Sequence, residues 1–409
     1  MKPSPWQTTI SMVVMTILLL SSCSGLPINL PAVPPSESST QTTAEPSPQP
    51  LLTFEEPPQD TLVEWSDQLS EAYCTTGNPG RFSSLVYSAG AYYSVQSGEA
   101  RSVWRMLPDE MSGVKIAEPL AEDGKFIESL LVNDQWLVML IFDHPMHVQG
   151  WRVEAVNLET KDQQRLTDNI EVSENIVYLD MELQGDLLYF LTHTVTENSP
   201  GQISTIQAFN LADGTQEILL SLESDLIYNQ LAVSEKYLMI SQSVSAKAPN
   251  TSFPILFYSF ESKQLEELME ISGSHPLMDW PLAAWSEQGP NEFPETFKVF
   301  DFESGLSWPL LVQGEQPCNF DLSKKFLAWI DPSEPTSAFP TVFLMSLDDG
   351  HKITLSTETQ ELMPQFPQVR DDRLILGLVK DFGTADASGM ICTIPLADLQ
   401  AISEPVPKP

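Results

Sequence analysis

A hairpin-like pattern recurs along this chain and limits the folds that it can adopt. In residues 206–221 (IQAFNLADGTQEILLS), apolar and polar side chains alternate with the period of a half-buried strand, and Asp213-Gly214 then supplies a turn before a second short strand. The same pattern starts at Val153, Ile255, Phe297 and Val342, with weaker copies from Val103 and Ile391. Everything between residues 75 and 405 is arranged around these copies.

Each copy follows a second apolar run, which in most units follows a third run and a tight turn. The second runs start near residues 91, 136, 187, 237, 282, 326 and 373, a period of about 44 to 51 residues. The fifth unit is degenerate, and Leu282 to Trp285 is its clearest part. Four antiparallel strands at this period predict an all-β, seven-bladed β-propeller, because a sheet that is apolar on both faces must stack between neighbours. A β-sandwich or a pair of barrels is the alternative.

Residues 319–330 (NFDLSKKFLAWI) are similar to the motif of TolB-like and WD-repeat-like propellers, in which Ser-Pro-Asp-Gly-Lys joins two strands. Residues 368–378 and 231–241 share this similarity. Leu-Ser-Lys here replaces the Pro-Asp-Gly core, and no Trp-Asp dipeptide closes the units. The resemblance covers essentially the whole globular region. It implies that a ligand or partner binds at the ring, and it carries over no catalytic residue.

The N-terminus resembles the leader of a bacterial lipoprotein. Lys2 precedes an apolar core of signal-peptide length, and Leu20-Ser21-Ser22-Cys23 resembles a lipobox. The resemblance implies that residues 1–22 are removed and that a diacylglycerol on Cys23 anchors the chain in the cell envelope, on the extracytoplasmic side of the membrane. Residues 23–60, rich in Pro, Ser, Thr and Gln, are predicted to tether a propeller of residues 61–405. An ordinary signal peptide with an incidental cysteine is the alternative.

The chain is strongly acidic, with 56 acidic against 20 basic side chains and a net charge of −36. Such a surface repels phosphate backbones, so we expect no nucleic acid as a partner. We interpret the acidity as a means of keeping an extracytoplasmic protein soluble. Binding of divalent cations on an acidic face is the alternative.

Three cysteines remain besides Cys23, and disulfides are permitted outside the cytoplasm. The last blade of a propeller is often completed by a strand from the other terminus. If Thr61 to Trp65 and the residues after it supply that strand, antiparallel to Ile391 to Leu396, Cys74 reaches the same rim as Cys392. A Cys74–Cys392 bond, a Cys74–Cys318 bond and three free thiols are the possibilities.

The sequence contains no nucleophile elbow, glycine-rich phosphate loop or His-Glu-x-x-His motif, so we predict no catalytic residue and no cofactor. Asp143, His144 and His147 have the chemistry of metal ligands but lack an obvious fourth member, and two surface histidines are the simpler interpretation. We read the inner strands as offering mostly Ser, Asn and apolar side chains.

The connections between the second and third strands are long in every unit and should emerge on one face of the ring. We therefore predict that this face binds a protein, small-molecule or glycan ligand, while the lipid on Cys23 binds the membrane. The sequence favours a binding or scaffolding module over an enzyme. A hydrolase or lyase of the envelope with its site in the channel mouth is the alternative, and an accessory or sensor subunit is a third possibility.

Overall fold

The computed structural model describes residues 60–78, 82–96, 102–108, 113–120, 126–142, 150–168, 180–195, 202–224, 227–243, 255–266, 273–287, 296–312, 317–331, 341–357, 362–381 and 388–403. These residues form seven sheets, and the innermost strand of each sheet contacts that of the next until the seventh returns to the first. The all-β, seven-bladed propeller predicted from the period is therefore confirmed. No helix among the described residues is long and apolar enough to span a bilayer.

The elements follow one another in a regular order. The chain begins with β1 (Asp60–Glu64), α1 (Asp67–Tyr73) and β2 (Cys74–Asn78). Blades 1 to 3 are formed by β3 (Phe82–Ser88), β4 (Ala91–Gln96), β5 (Val103–Met106) and β6 (Val114–Ala117); β7 (Phe126–Val132), β8 (Trp136–Phe142), β9 (Arg152–Asn157) and β10 (Gln163–Asp168); and β11 (Asp180–Gln184), β12 (Leu187–Val195), β13 (Gln202–Asn210) and β14 (Gln216–Ser224).

The remaining four blades repeat this arrangement. Blades 4 and 5 are formed by β15 (Ile227–Val233), β16 (Tyr237–Ser243), β17 (Leu256–Ser259) and β18 (Gln264–Glu266), and by β19 (Ser274–Asp279), β20 (Leu282–Ser286), β21 (Thr296–Asp301) and β22 (Leu306–Leu311). Blade 6 contains β23 (Cys318–Leu322), β24 (Phe326–Asp331), β25 (Thr341–Ser346) and β26 (Lys352–Ser356). Blade 7 contains β27 (Leu362–Arg370), β28 (Arg373–Lys380) and β29 (Ser388–Pro395), and α2 (Leu396–Ser403) follows.

The second strand of blade 2 shows why these sequences form stacked sheets. β8 reads WLVMLIF and is buried from Trp136 to Ile141. Its alternate side chains point to opposite faces, so Leu137 and Met139 join a core with blade 1, whereas Val138 and Leu140 join a core with blade 3. A strand covered on both faces reads as a continuous apolar run. Each such side chain contributes about 1.5 to 3 kcal/mol of burial free energy.

The hairpin turns behave as the sequence predicted. The Asp213 carboxylate accepts the Thr215 N–H at 2.9 Å, and the Asp349 carboxylate accepts the His351 N–H at 3.0 Å. Gly214 has a φ of 73°, which favours glycine at that position. These aspartates act as turn residues, and hydrogen bonds to the charged form lower the pKa of both carboxyl groups.

Ring closure differs in part from the expectation. β2 is the outermost strand of blade 7 and runs antiparallel to β29, with Cys74 opposite Cys392. However, β1 pairs in parallel with β26 and adds a fifth strand to blade 6. The expectation that Thr61 to Trp65 belong to the outer strand of the last blade is therefore wrong, and residues 74–78 take that place.

Two further differences concern weak repeats. The inner strand of blade 5, β19, contains Pro276 and ends at a turn through the cis Trp280–Pro281 bond, so no alternating pattern or Asp-Gly turn marked it. The copy from Ile391 contributes only one strand, because the residues after Pro395 form α2. In the described part of the chain, blade 7 thus takes its fourth strand from the N-terminal side alone.

Candidate functional site

The central channel is lined by ionisable side chains from the inner strands of several blades. Most residues of these strands are apolar, Ser or Asn, as the sequence indicated, but the strands also carry ionisable side chains. The ionisable side chains of the inner strands include Glu128 of β7, Asp180 and Glu182 of β11, His275 and Asp279 of β19, Asp321 of β23 and Arg370 of β27. The short inner strands place one or two of these groups in each of five blades, and the ring brings them towards one axis.

Arg370 and Asp321 form an ion pair in the channel. Nη1 and Nη2 of Arg370 donate to the two carboxylate oxygens of Asp321 at 2.6 and 2.9 Å, which is the bidentate geometry of a guanidinium–carboxylate pair. Burial lowers the pKa of Arg370, but the charge and hydrogen bond of Asp321, together with the charges of Asp279 and Glu182, outweigh burial, so the net shift is upward. Its side chain is 43% exposed and lines two cavities.

Several polar side chains of the inner strands hold one blade to the next. Asp180 accepts the Leu231 N–H of blade 4 at 2.6 Å, and Asp321 accepts the Val369 N–H of blade 7 at 2.8 Å. Similar bonds run from the His275 N–H to Gln230 at 2.9 Å and from the Tyr87 N–H to Gln368 at 3.0 Å. These contacts stabilise the ring and account structurally for both Asp180 and Asp321.

Glu182 lacks such a structural role. Among the described residues no hydrogen-bond donor contacts its carboxyl group. Burial raises the pKa of Glu182 to about 8, the negative charges of Asp180 and Asp321 add to the shift, and Arg370 opposes it. Burial also raises the pKa of Asp180 to about 7, although the Leu231 and Met181 N–H groups oppose that shift. Glu182 is therefore largely protonated at neutral pH and is free to change its charge when a ligand binds.

The side of the channel at blade 5 differs in charge from the side at blade 3, which carries Asp180 and Glu182. Burial raises the pKa of Asp279, although the backbone N–H and the charge of Lys324 oppose the shift. Burial lowers the pKa of His275 to about 4, so its imidazole is neutral at pH 7. Oγ of Ser274 lies 2.8 Å from its Nδ1. This side of the channel thus carries one carboxyl group and a neutral ring.

A cavity of about 650 Å³ opens beside these groups. Its wall includes Glu182, Asp321, Arg370 and Asp371, so three carboxyl groups face one guanidinium that already has a carboxylate partner. Apolar side chains such as Phe320 form the rest of the wall. A second cavity of about 490 Å³ contains Asp279, Lys324 and Lys325 and shares Arg370 with the first. In the described residues no group of three or more His, Cys, Asp or Glu side chains is arranged to hold a metal ion.

The structure describes only some of the site residues predicted from sequence. Cys23 and the group Asp143, His144 and His147 lie outside the described residues, as do most residues of the long loops between second and third strands. The structure brings Cys74 and Cys392 together, with their sulfurs 2.09 Å apart. It leaves Cys318 as a half-buried thiol, and burial followed by the charge of Asp331 raises its pKa to about 12.

In a scan against protein-family models and a search of curated proteins, the sequence matches none. The fold is similar to solved structures at low sequence identity. TolB from Acinetobacter baumannii is 11% identical, with 76% of this chain and 78% of that chain covered and a TM-score of 0.38. Oligogalacturonate lyase from Vibrio parahaemolyticus is 10% identical, with 79% and 90% covered and a TM-score of 0.49. A puromycin-hydrolyzing peptidase of Mycobacterium tuberculosis is 11% identical, with 72% and 48% covered and a TM-score of 0.47. These similarities carry no conclusion about activity.

Proposed function

We propose that the chain is a lipid-anchored binding module of the cell envelope and that its channel mouth receives a positively charged group. The observation that carries the proposal is Glu182, a carboxyl group without a hydrogen-bond donor among the described residues, in the wall of a cavity. A ligand ammonium or guanidinium would give this carboxyl group the partner that it lacks. Burial of the ionised form costs free energy, and an opposite charge offsets that cost.

The charges around the cavity support a cation rather than an anion. Arg370 is paired with Asp321 at 2.6 Å, so its positive charge is already compensated. Glu182 and Asp371 in the wall, with Asp180 and Asp279 nearby, leave the local charge negative once the carboxyl groups ionise. The overall charge of −36 acts in the same direction by attracting cations to the molecule. A lysine or arginine side chain of a partner protein and a small organic cation share this chemistry.

Calorimetric titration tests the proposal with three probes: a blocked Ala-Lys-Ala tripeptide, the matched Ala-Gln-Ala tripeptide and butylammonium. The lysine peptide should bind and the glutamine peptide should not. Binding should strengthen as the pH rises through about 8, because Glu182 must lose its proton. Binding of butylammonium alone would indicate that a small cation suffices, whereas binding of the peptide alone would indicate a protein partner.

Two variants sharpen this test. Glu182→Gln removes the charge but keeps the shape, and it should weaken binding about tenfold, the size of one charge-assisted hydrogen bond. Glu71→Gln removes an exposed carboxylate from α1, outside the channel, and should leave binding unchanged. Equal binding by wild type and Glu182→Gln, or no binding of any cation up to millimolar concentration, would overturn the proposal.

A hydrolase or lyase of the envelope is the second candidate. The raised pKa of Glu182, about 8, lies in the range of a general acid or base at neutral pH, and Arg370 stands near it. Turnover of model esters or glycosides by the wild type, with loss in Glu182→Gln, would favour this candidate over the binding module.

The anchor is a separate part of the proposal and rests on Leu20-Ser21-Ser22-Cys23. Replacement of Cys23 by alanine should release the protein from the membrane fraction of cells that express it. Unchanged retention in that fraction would reject lipidation at Cys23 as the cause of anchoring. It would leave the channel site unaffected, because Cys23 lies outside the described ring.

A further inference from the structure

A groove between blades 3 and 4 stands apart from the channel. It has a volume of about 700 Å³, and none of its lining residues lines either channel cavity. β12, β13 and β14 form one wall, and the hairpin that joins β17 to β18 forms the other. The groove contains aromatic side chains on its floor and charged and amide side chains along its rim.

Two tyrosines line the groove with unused hydroxyl groups. Tyr189 and Tyr258 are each 3% exposed, and both belong to the core between blades 3 and 4. Neither hydroxyl has a hydrogen-bond partner in the described part of the chain, and neither hydroxyl oxygen is fully buried, so both are open to the groove. Two hydroxyl groups on otherwise buried side chains are therefore available to a ligand that enters the groove.

Both hydroxyls keep their protons at physiological pH. Burial raises the pKa of Tyr189 to about 12, and the proximity of Tyr258 adds to the shift. Burial also raises the pKa of Tyr258, with the charge of Glu217 adding and that of Lys263 opposing. Each hydroxyl therefore presents one donor and acceptor lone pairs to the groove.

The rim carries a balanced set of polar groups. Nζ of Lys263 lies 3.0 Å from Oε1 of Glu217, which joins blade 4 to blade 3 across the groove. Both side chains are more than half exposed, at 66% and 60%, so the pair is open to a ligand. Asn210 and Gln216 add amide groups. Phe260 packs on Tyr189 with ring centroids 5.3 Å apart and supplies an aromatic surface beside them.

We propose that this groove binds a neutral saccharide. Vicinal sugar hydroxyls both donate and accept hydrogen bonds, which matches phenol, amide and ion-pair groups within one cavity, and the C–H face of a sugar ring packs on an aromatic side chain such as Phe260. A neutral ligand is favoured over a sugar acid or phosphate because Glu217 and Lys263 compensate each other while the molecule carries a charge of −36.

Titration calorimetry with maltotriose and with triacetylchitotriose, each at up to about 20 mM, tests the proposal on the mature chain. At least one of these neutral trisaccharides should bind. The double substitution Tyr189→Phe and Tyr258→Phe removes two hydroxyls but keeps both rings, and it should weaken binding about tenfold. Tyr73→Phe is the matched control and should bind like wild type. The Tyr73 hydroxyl bonds to Asp398 at 3.2 Å, and neither residue lines the groove.

The outcomes are distinguishable from a loss of fold. The double variant should melt close to the wild-type temperature, because both rings stay in place and neither hydroxyl has a hydrogen bond within the described residues that the substitution would remove. Absence of binding by either trisaccharide, or equal affinity of wild type and the double variant, would overturn the proposal. Binding of the blocked tripeptides in this groove, detected by its loss in the double variant, would assign the groove to a peptide instead and would also overturn it.

Discussion

Glu182 differs from Asp180 and Asp321 because no hydrogen bond from the described residues holds its carboxyl group. Asp180 and Asp321 accept backbone N–H groups of the neighbouring blades, which fixes their geometry. Glu182 stands two residues from Asp180 on the same face of β11, so the two carboxyl groups repel each other when both are ionised. The protonated form of Glu182 is therefore favoured in the folded chain.

This shift makes stability depend on pH. The pKa of Glu182 rises from 4.5 to about 8 on folding, so between these values the folded chain holds a proton that the unfolded chain releases. The stabilisation is complete below about pH 4.5 and is lost as the pH rises through about 8. Glu182→Gln, which resembles the protonated form, should melt about 1 to 3 °C above wild type at pH 9 and close to wild type at pH 5.

Thermal melts at the two pH values check this prediction, with Glu71→Gln on α1 as the control. The control removes the same charge from an exposed position outside the channel, so its difference from wild type should be similar at pH 5 and pH 9. A Glu182→Gln variant that melts below wild type at pH 9 would show that the ionised carboxylate makes a stabilising contact instead.

At this scale the sequence revealed the turn residues but not the channel. Asp213 and Asp349 follow a local rule, because the carboxylate bonds to the N–H group two residues later. The role of Glu182 depends on Arg370, which lies in another blade nearly 200 residues away, and no local pattern encodes that approach. Register shifts in the inner strands, as between Gln365 and Gln368, further change which side chains point to the axis.

At the scale of elements, the N-terminal segment closes the ring through two blades. β1 lies in parallel against β26, where Nζ of Lys352 bonds to Oδ2 of Asp60 at 3.0 Å. The chain then passes through α1, whose N-cap Ser66 accepts the Leu69 N–H. β2 completes blade 7. The alternating residues near 61–65 indicated a strand, but alternation does not identify the partner of a strand. Because a parallel edge pairing needs no hairpin turn between the two strands, no turn in the sequence marks it.

The Cys74–Cys392 bond should stabilise this closure. A covalent link between the first described segment and the last blade restricts the unfolded chain over a very long loop, with an effect of about 2 to 5 kcal/mol. Reduction of the wild type, or replacement of both cysteines by serine, should therefore lower the free energy of unfolding by that amount. Urea unfolding with and without a reductant measures it.

Cys318→Ser provides the control for this experiment. Cys318 has no disulfide, and burial raises the pKa of its thiol to about 12, which keeps it unreactive at neutral pH. The variant should respond to the reductant as wild type does, whereas the Cys74/Cys392 double variant should not respond. An identical unfolding midpoint for reduced and oxidised wild type would show that the bond does not form or does not act on the unfolded state.

At the scale of the whole molecule, the period was sufficient to predict the architecture. Seven sheets with apolar side chains on both faces leave no stable arrangement with free ends, and the contact of β27 with β3 closes the ring. Even blade 5, whose inner strand lacks alternation, takes its place because Ala284 and Val299 pack into the core shared with blade 6. Long-range stacking thus overrides a weak local pattern, which explains why the fold was predictable and the channel was not.

The net charge leads to the last prediction. With 56 acidic against 20 basic side chains, the folded chain repels itself more than the expanded chain does, and salt screens that repulsion. An increase of sodium chloride from about 20 mM to about 500 mM should therefore raise the melting temperature by several degrees. Sodium, potassium, magnesium and calcium chlorides at equal ionic strength should give similar shifts, because screening depends on ionic strength and not on the identity of the cation. A distinctly larger shift with calcium would instead indicate a specific divalent-cation site and would make the acidity functional rather than a matter of solubility.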